Sequence, residues 1–212
     1  MPGLIPLTDA TRRPVQFPVA TVGIIAANLI VFLLELHGGE PFVTRWAAVP
    51  SDIVAGRHLT TLLTAMFMHA GWLHLISNMV FLWAFGPEIE DAMAAPRFLI
   101  FYGLGGLVAM LAQVLAIPHS NVPCLGASGA IAAVMGAFLV TFPADRIQSL
   151  LVIGVFVKVT FIPAAVLIGF WFLIQLFNIG AVADVNTGGV AYLAHVAGLL
   201  FGVVTARLFE PR

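Results

Sequence analysis

The chain has 212 residues, of which 61% are hydrophobic and 9% charged, with a formal net charge of -1. Soluble domains carry about 25% charged residues, so a soluble fold of this size has no core large enough to hide this apolar surface. The net charge is uninformative, and no basic run suggests nucleic acid as a partner. The single Cys124 excludes an internal disulfide and a multi-cysteine metal cage.

Arg12 and Arg13 precede a first apolar segment, about 19–36, long enough to span a bilayer and stay there. The segment 37–68 mixes apolar and polar residues and reads as a structured interfacial loop. Further spans are expected at about 74–92, 98–117, 128–142, 163–179 and 190–208. The stretch 147–160 is apolar but broken by Gln148 and Lys158. It reads as a surface-lying segment or as a lead into the fifth span. The expectation is an all-α, polytopic, six-helix bundle forming a single domain over 1–212. With the N-terminus inside, Arg12, Arg13, Arg97, Arg146, Lys158, Arg207 and Arg212 fall on the cytoplasmic side, against Arg45 and Arg57 outside. That bias favours both termini in the cytoplasm.

Polar residues inside spans are costly and mark function by default. His74 and Asn78 share one face of the second span. Ser128 opens the fourth span within Gly126-Ala127-Ser128-Gly129, and His195 lies in the sixth. Ser128 stands 15 residues before Pro143, roughly 22 Å of helix in a core about 30 Å thick. His195 stands roughly 9 Å into a helix starting near Gly189. The two depths match. Ser128, Ala132 and Gly136 form one small-residue stripe, and Gly198 and Gly202 another, so close packing would set Ser128 beside His195. A serine hydroxyl becomes a nucleophile when a neighbouring imidazole takes its proton. The Ser128 amide at a helix start, with His74 and Asn78, offers donors to a developing oxyanion.

Blander readings stand beside these. Gly-x-Ser-Gly in a small-residue helix also serves packing, and His74 with Asn78 also serves as interhelical hydrogen-bond glue. His195 is also a candidate for a proton path or a satisfied buried histidine. His69, His74 and His195 are candidate zinc ligands, without an HExxH motif or acidic partner. Cys124 reads as packing. Glu88, Glu90 and Asp91 read as a solvated helix end. No third acidic member of a triad is visible; Asp184 is the nearest before His195, in a loop.

Taken together, His69-x4-His74-x3-Asn78, Gly126-Ala127-Ser128-Gly129 and Ala194-His195 with Gly198 and Gly202 resemble the rhomboid intramembrane proteases. Leu62–Leu75, Phe85–Asp91 and Trp171–Leu176 resemble the flanks of that family's second and fifth spans, and the resemblance covers about Pro50 to Gly202. It implies a prokaryotic-type, inner-membrane serine endopeptidase without a cofactor. Its substrates would be single-pass membrane proteins, cut in or near the bilayer through an acyl-enzyme. Ser128 would be the nucleophile and His195 the general base and acid. The oxyanion would meet His74, Asn78 and the Ser128 amide, with the Ala127 amide as a further candidate. Gly126, Gly129, Gly198, Gly202 and His69 would support the site. The loop near 183–189 and the upper fifth span would form a gate. Ala132 departs from members that carry an aromatic ring there, against the catalytic histidine. The competing expectations are a catalytically silent, rhomboid-like client-binding protein, and a small transporter built on His74, Asn78 and His195.

Overall fold

The computed structural model describes residues 3–182 and 191–211. Its long helices are α1 (Val19–Trp46), α4 (Trp72–Met93), α5 (Ala95–Ala116), α6 (Ser128–Thr141), α7 (Ala164–Val182) and α8 (Tyr192–Phe209). Two short helices, α2 (Pro50–Val54) and α3 (Thr61–Thr64), and a 3-10 turn at Ala65–Phe67 lie between α1 and α4. By length and composition, α1, α5 and α8 are able to cross a membrane. The bent pair formed by Thr61–Phe67 and Trp72–Met93 makes a fourth if counted as one span.

Local chemistry sets the breaks. α1 runs past the expected end of the first apolar segment to Trp46, but it kinks at Gly39, whose φ of 59° suits glycine. Ala94, at φ 65°, separates α4 from α5, and Pro96 enters the first turn of α5, where its missing N–H costs nothing.

The helix α6 forms the centre. Every residue from Gly129 to Phe138 is buried, as a helix apolar all round its circumference requires. α4, α5, α7 and α8 pack around it. The bundle is inverted relative to a soluble protein. Leu29, Leu33, Leu104, Phe170, Phe177 and Val204 are exposed on its outer faces, where hydrocarbon is the matching solvent. At 14 residues, α6 rises roughly 21 Å, short of the ~30 Å hydrocarbon core. Ser128, its first residue, therefore starts below one membrane surface if the other end reaches the opposite one.

Two findings depart from the sequence reading. The apolar stretch after α6 is a hairpin, β2 (Arg146–Ile153) and β3 (Phe156–Pro163), rather than a surface-lying segment. With β1 (Gly3–Asp9) it makes an antiparallel sheet in the order β1-β2-β3, added to the helical bundle at one end. Glu88 and Glu90 are not a solvated helix end, since both are buried, whereas Asp91 is exposed. Glu90 is buried and accepts the Ala20 and Thr21 amides at 2.8 and 2.7 Å. Asp91 accepts those of Val15 and Gln16 at 3.2 Å each. α1 has no side-chain cap of its own at Pro18, so Glu90 from α4 satisfies amides at its start, while Asp91 holds the segment that leads into it.

Candidate active site

The α6–α8 seam is built from glycine. A Cβ placed on Gly198 would stand 2.1 Å from the Gly129 carbonyl oxygen, and one on Gly202 would stand 2.0 Å from that of Ala133. Only hydrogen at these positions lets the two backbones approach so closely. That approach sets the distance between the side chains at the upper end of the seam. His195 Nε2 lies 2.7 Å from Ser128 Oγ.

A third helix completes the surroundings of the imidazole. His195 Nδ1 lies 2.8 Å from Gln175 Oε1 of α7, and the Trp171 ring stands 5.4 Å from the His195 ring at a 38° tilt. His195 and Gln175 are 7% and 5% exposed, so both are shielded from bulk water and each needs its partner. The absence of an aromatic ring at Ala132 is thus made good by Trp171, which reaches the same imidazole from α7. Neither Gln175 nor Trp171 stood out as a functional residue in the sequence. The available signal was an amide in the middle of an apolar helix.

His74 stands on the other side of Ser128. Its Nδ1 accepts the Ala70 amide at 3.3 Å, which leaves the ring proton on Nε2. A Cβ built on Gly126 would stand 3.0 Å from His74 Nε2 and 3.8 Å from Ser128 Oγ. Gly126, at φ 128°, therefore keeps open the space between a hydrogen-bond donor and the hydroxyl. Asn78 is placed less directly. Its Nδ2 donates to the His74 carbonyl at 2.9 Å, which uses one of its two N–H bonds on its own helix.

The loop before α6 is pinned from both sides. Ala48 and Cys124 exchange backbone hydrogen bonds, with N···O distances of 3.1 and 2.7 Å, and the Gly126 amide donates to the Ala65 carbonyl at 2.9 Å. Ala127 caps α6 without a side-chain hydrogen bond, which leaves the Ser128 amide at an unfilled helix N-terminus. A cavity lined by Met110, Gln113, Cys124, Ala191 and Ala194 opens against Ser128 and Gly129. His69 lies behind His74, ring to ring at 4.9 Å, with its own amide donating to Glu35 at 3.0 Å. Among the described residues, no three His, Cys, Asp or Glu side chains converge to hold a metal ion, so the zinc reading lacks a ligand set. Asp184 and the expected gate loop, 183–189, lie outside the described residues.

The Rhomboid domain family model matches residues 56–212. The chain is 30% identical over 193 residues to Rhomboid protease GluP of Bacillus subtilis, covering 89% of this chain and 34% of that protein. It is 29% identical over 206 residues to Rhomboid protein 1, mitochondrial, of Saccharomyces cerevisiae, covering 94% and 55% respectively. It is 27% identical over 198 residues to the mitochondrial presenilin-associated rhomboid-like protein of Rattus norvegicus, covering 85% and 46%. The chain thus spans between a third and just over half of the length of these relatives.

Proposed function

This chain belongs to the rhomboid family and is an integral membrane protein, and from that premise we propose that it is a serine endopeptidase acting within the bilayer. The observation that carries the reading is the 2.7 Å contact between Ser128 Oγ and His195 Nε2, half-buried among apolar helices. Ser128 Oγ attacks the scissile carbonyl carbon as its proton passes to His195 Nε2. The oxyanion is met by the Ser128 amide and the His74 Nε2–H, with Asn78 at their side. The imidazolium returns the proton to the leaving amine, which departs and leaves an acyl-enzyme. Water from the cavity then repeats the sequence and frees Ser128.

The substrates in this reading are single-pass membrane proteins, because a site reached through lipid selects chains that are already there. Both termini face the cytoplasm, a topology supported by the seven-to-two distribution of basic residues. The test is cleavage of a model single-pass substrate by the full chain in liposomes. Cleavage is expected to vanish in Ser128→Ala and His195→Ala while both variants keep the wild-type melting profile. Cleavage that persists in Ser128→Ala removes the hydroxyl from the mechanism. A folded wild type that binds client helices and never cuts them points to the silent, client-binding alternative.

A further inference from the structure

The dyad accounts for one imidazole nitrogen, and the chemistry of the other decides whether the first works at all. His195 Nδ1 lies 2.8 Å from Gln175 Oε1. The other end of that amide is already committed, since Gln175 Nε2 donates to the Trp171 carbonyl one turn back on α7 at 3.1 Å. This second bond sets which end of the amide faces the ring. The reversed amide would set its oxygen against the Trp171 carbonyl oxygen, two acceptors facing each other, so the NH2 stays on the backbone and the oxygen points at His195. An amide oxygen only accepts, so Nδ1 must carry the ring proton. Nε2 is then left with a lone pair directed at Ser128 Oγ, 2.7 Å away. Reversing the amide would put an N–H against Nδ1 and the ring proton on Nε2. The imidazole would then have no lone pair for the serine proton. Left to itself, imidazole prefers that unproductive Nε2–H form.

We propose that Gln175 is the positioning residue of this site, selecting the Nδ1–H tautomer of His195; the inference rests on the hydrolytic reading above. It acts through His195 and touches no reacting atom. In the forward step the Ser128 proton moves to Nε2 while Nδ1–H stays on Gln175 Oε1, so the transient imidazolium has both its N–H bonds accepted. An amide is suited to this depth for a physical reason. A carboxylate on α7 would orient the ring equally well but would bring a buried charge that must be desolvated. The amide dipole orients the ring without a net charge. Trp171, against the ring face, restricts the remaining rotation. One turn of α7 therefore controls both the face and the edge of an imidazole carried by α8.

The test uses the full chain in detergent micelles with two variants. Gln175→Met keeps the length and apolar fit and removes the acceptor, whereas Gln175→Glu keeps an acceptor in place. Fluorophosphonate labelling of Ser128 and kcat for a model substrate should fall about 100-fold or more in Gln175→Met, with KM little changed. Gln175→Glu should stay within about tenfold of wild type, a rescue that a packing role alone would not give. Nitrogen-15 spectra of histidine-labelled protein supply a readout independent of turnover. The His195 signals, identified by their loss in His195→Ala, should show protonated Nδ1 and bare Nε2 in wild type. They should shift toward Nε2–H in Gln175→Met. Wild-type protein with the proton on Nε2 overturns the inference, whichever variants fold. So does a Gln175→Met variant that labels at the wild-type rate. A wild type that never labels, yet whose tautomer responds to Gln175→Met, sinks the hydrolytic reading and spares the role of Gln175.

Discussion

Replacing Gly198 with alanine adds one methyl group to the α6–α8 seam, and the structure gives its consequence in ångströms. The new Cβ would lie 2.1 Å from the Gly129 carbonyl oxygen, whereas real Cβ contacts essentially never fall below 3.0 Å. The atom opposing it is backbone in the middle of a buried helix, so no flexible side chain yields. The helices must part by the difference, 3.0 − 2.1 = 0.9 Å or more. Gly198 lies three residues beyond His195, and Gly129 adjoins Ser128, so the parting falls close to the dyad. If it is taken up along the Oγ···Nε2 line, 2.7 Å becomes 3.6 Å, which is no longer a hydrogen bond. Overpacking costs about 1–3 kcal/mol of stability, which leaves most of the protein folded. In the proposed mechanism, loss of the general base lowers the rate by about 100-fold or more. The assay is fluorophosphonate labelling of Gly198→Ala beside wild type, with melting temperature measured on both. Labelling at the wild-type rate would mean that the seam has slack and that glycine is not what sets the dyad distance.

The other predictions concern single groups. His74→Ala should lower kcat about 100- to 1000-fold with KM nearly unchanged, read from cleavage kinetics. Asn78→Ala should cost less, because one of its two N–H bonds is already on the His74 carbonyl. Glu90→Ala strips the buried acceptor from two α1 amides and should destabilise by about 3 kcal/mol or more, read as a fall in melting temperature; Asp91→Asn, at an exposed site, should have little effect. Burial pushes the Cys124 thiol from its ordinary 9.0 up to about 11, so its thiolate fraction near pH 7.5 is about 100-fold below that of a free cysteine. Maleimide labelling of the native protein should be correspondingly slow, and Cys124→Ser should cleave normally. Burial also raises the Asp9 carboxyl above its ordinary 3.8. The fold thus binds that proton more tightly than the unfolded chain, and the contribution, complete below 3.8, is lost as pH rises through the raised value. The melting temperature should therefore gain from this group on acidification through the raised value toward 3.8, and Asp9→Asn should remove that part of the slope.

Particular residues show what the chain's sequence discloses and what it withholds. Apolar runs disclose helices because lipid leaves the backbone few other structures, and their ends carry visible punctuation in Gly71, Pro96 and Pro143. Ser128 and His195 are legible for the same reason, as polar groups where polarity is expensive. Their closeness is legible through the glycines that allow it. The hairpin after α6 was hidden because apolar content outweighed its β-branched residues, Val152, Val155, Val157, Val159 and Ile162, and because its sheet partner β1 lies some 140 residues away. Glu90 misled because an acidic side chain suggests water, while its partners are backbone amides that leave no mark in a sequence. Gln175 was visible as a letter, but the direction of its amide is set by Trp171 and His195 together, a three-body arrangement that no linear pattern encodes.

The account stands on Ser128 being nucleophilic and on His195 making it so. Mass spectrometry of the purified full chain after fluorophosphonate treatment reads both at once. The adduct should map to the peptide bearing Ser128, saturate at one per chain, and disappear in His195→Ala. An unmodified wild type, or an adduct that forms as fast without the imidazole, would contradict it.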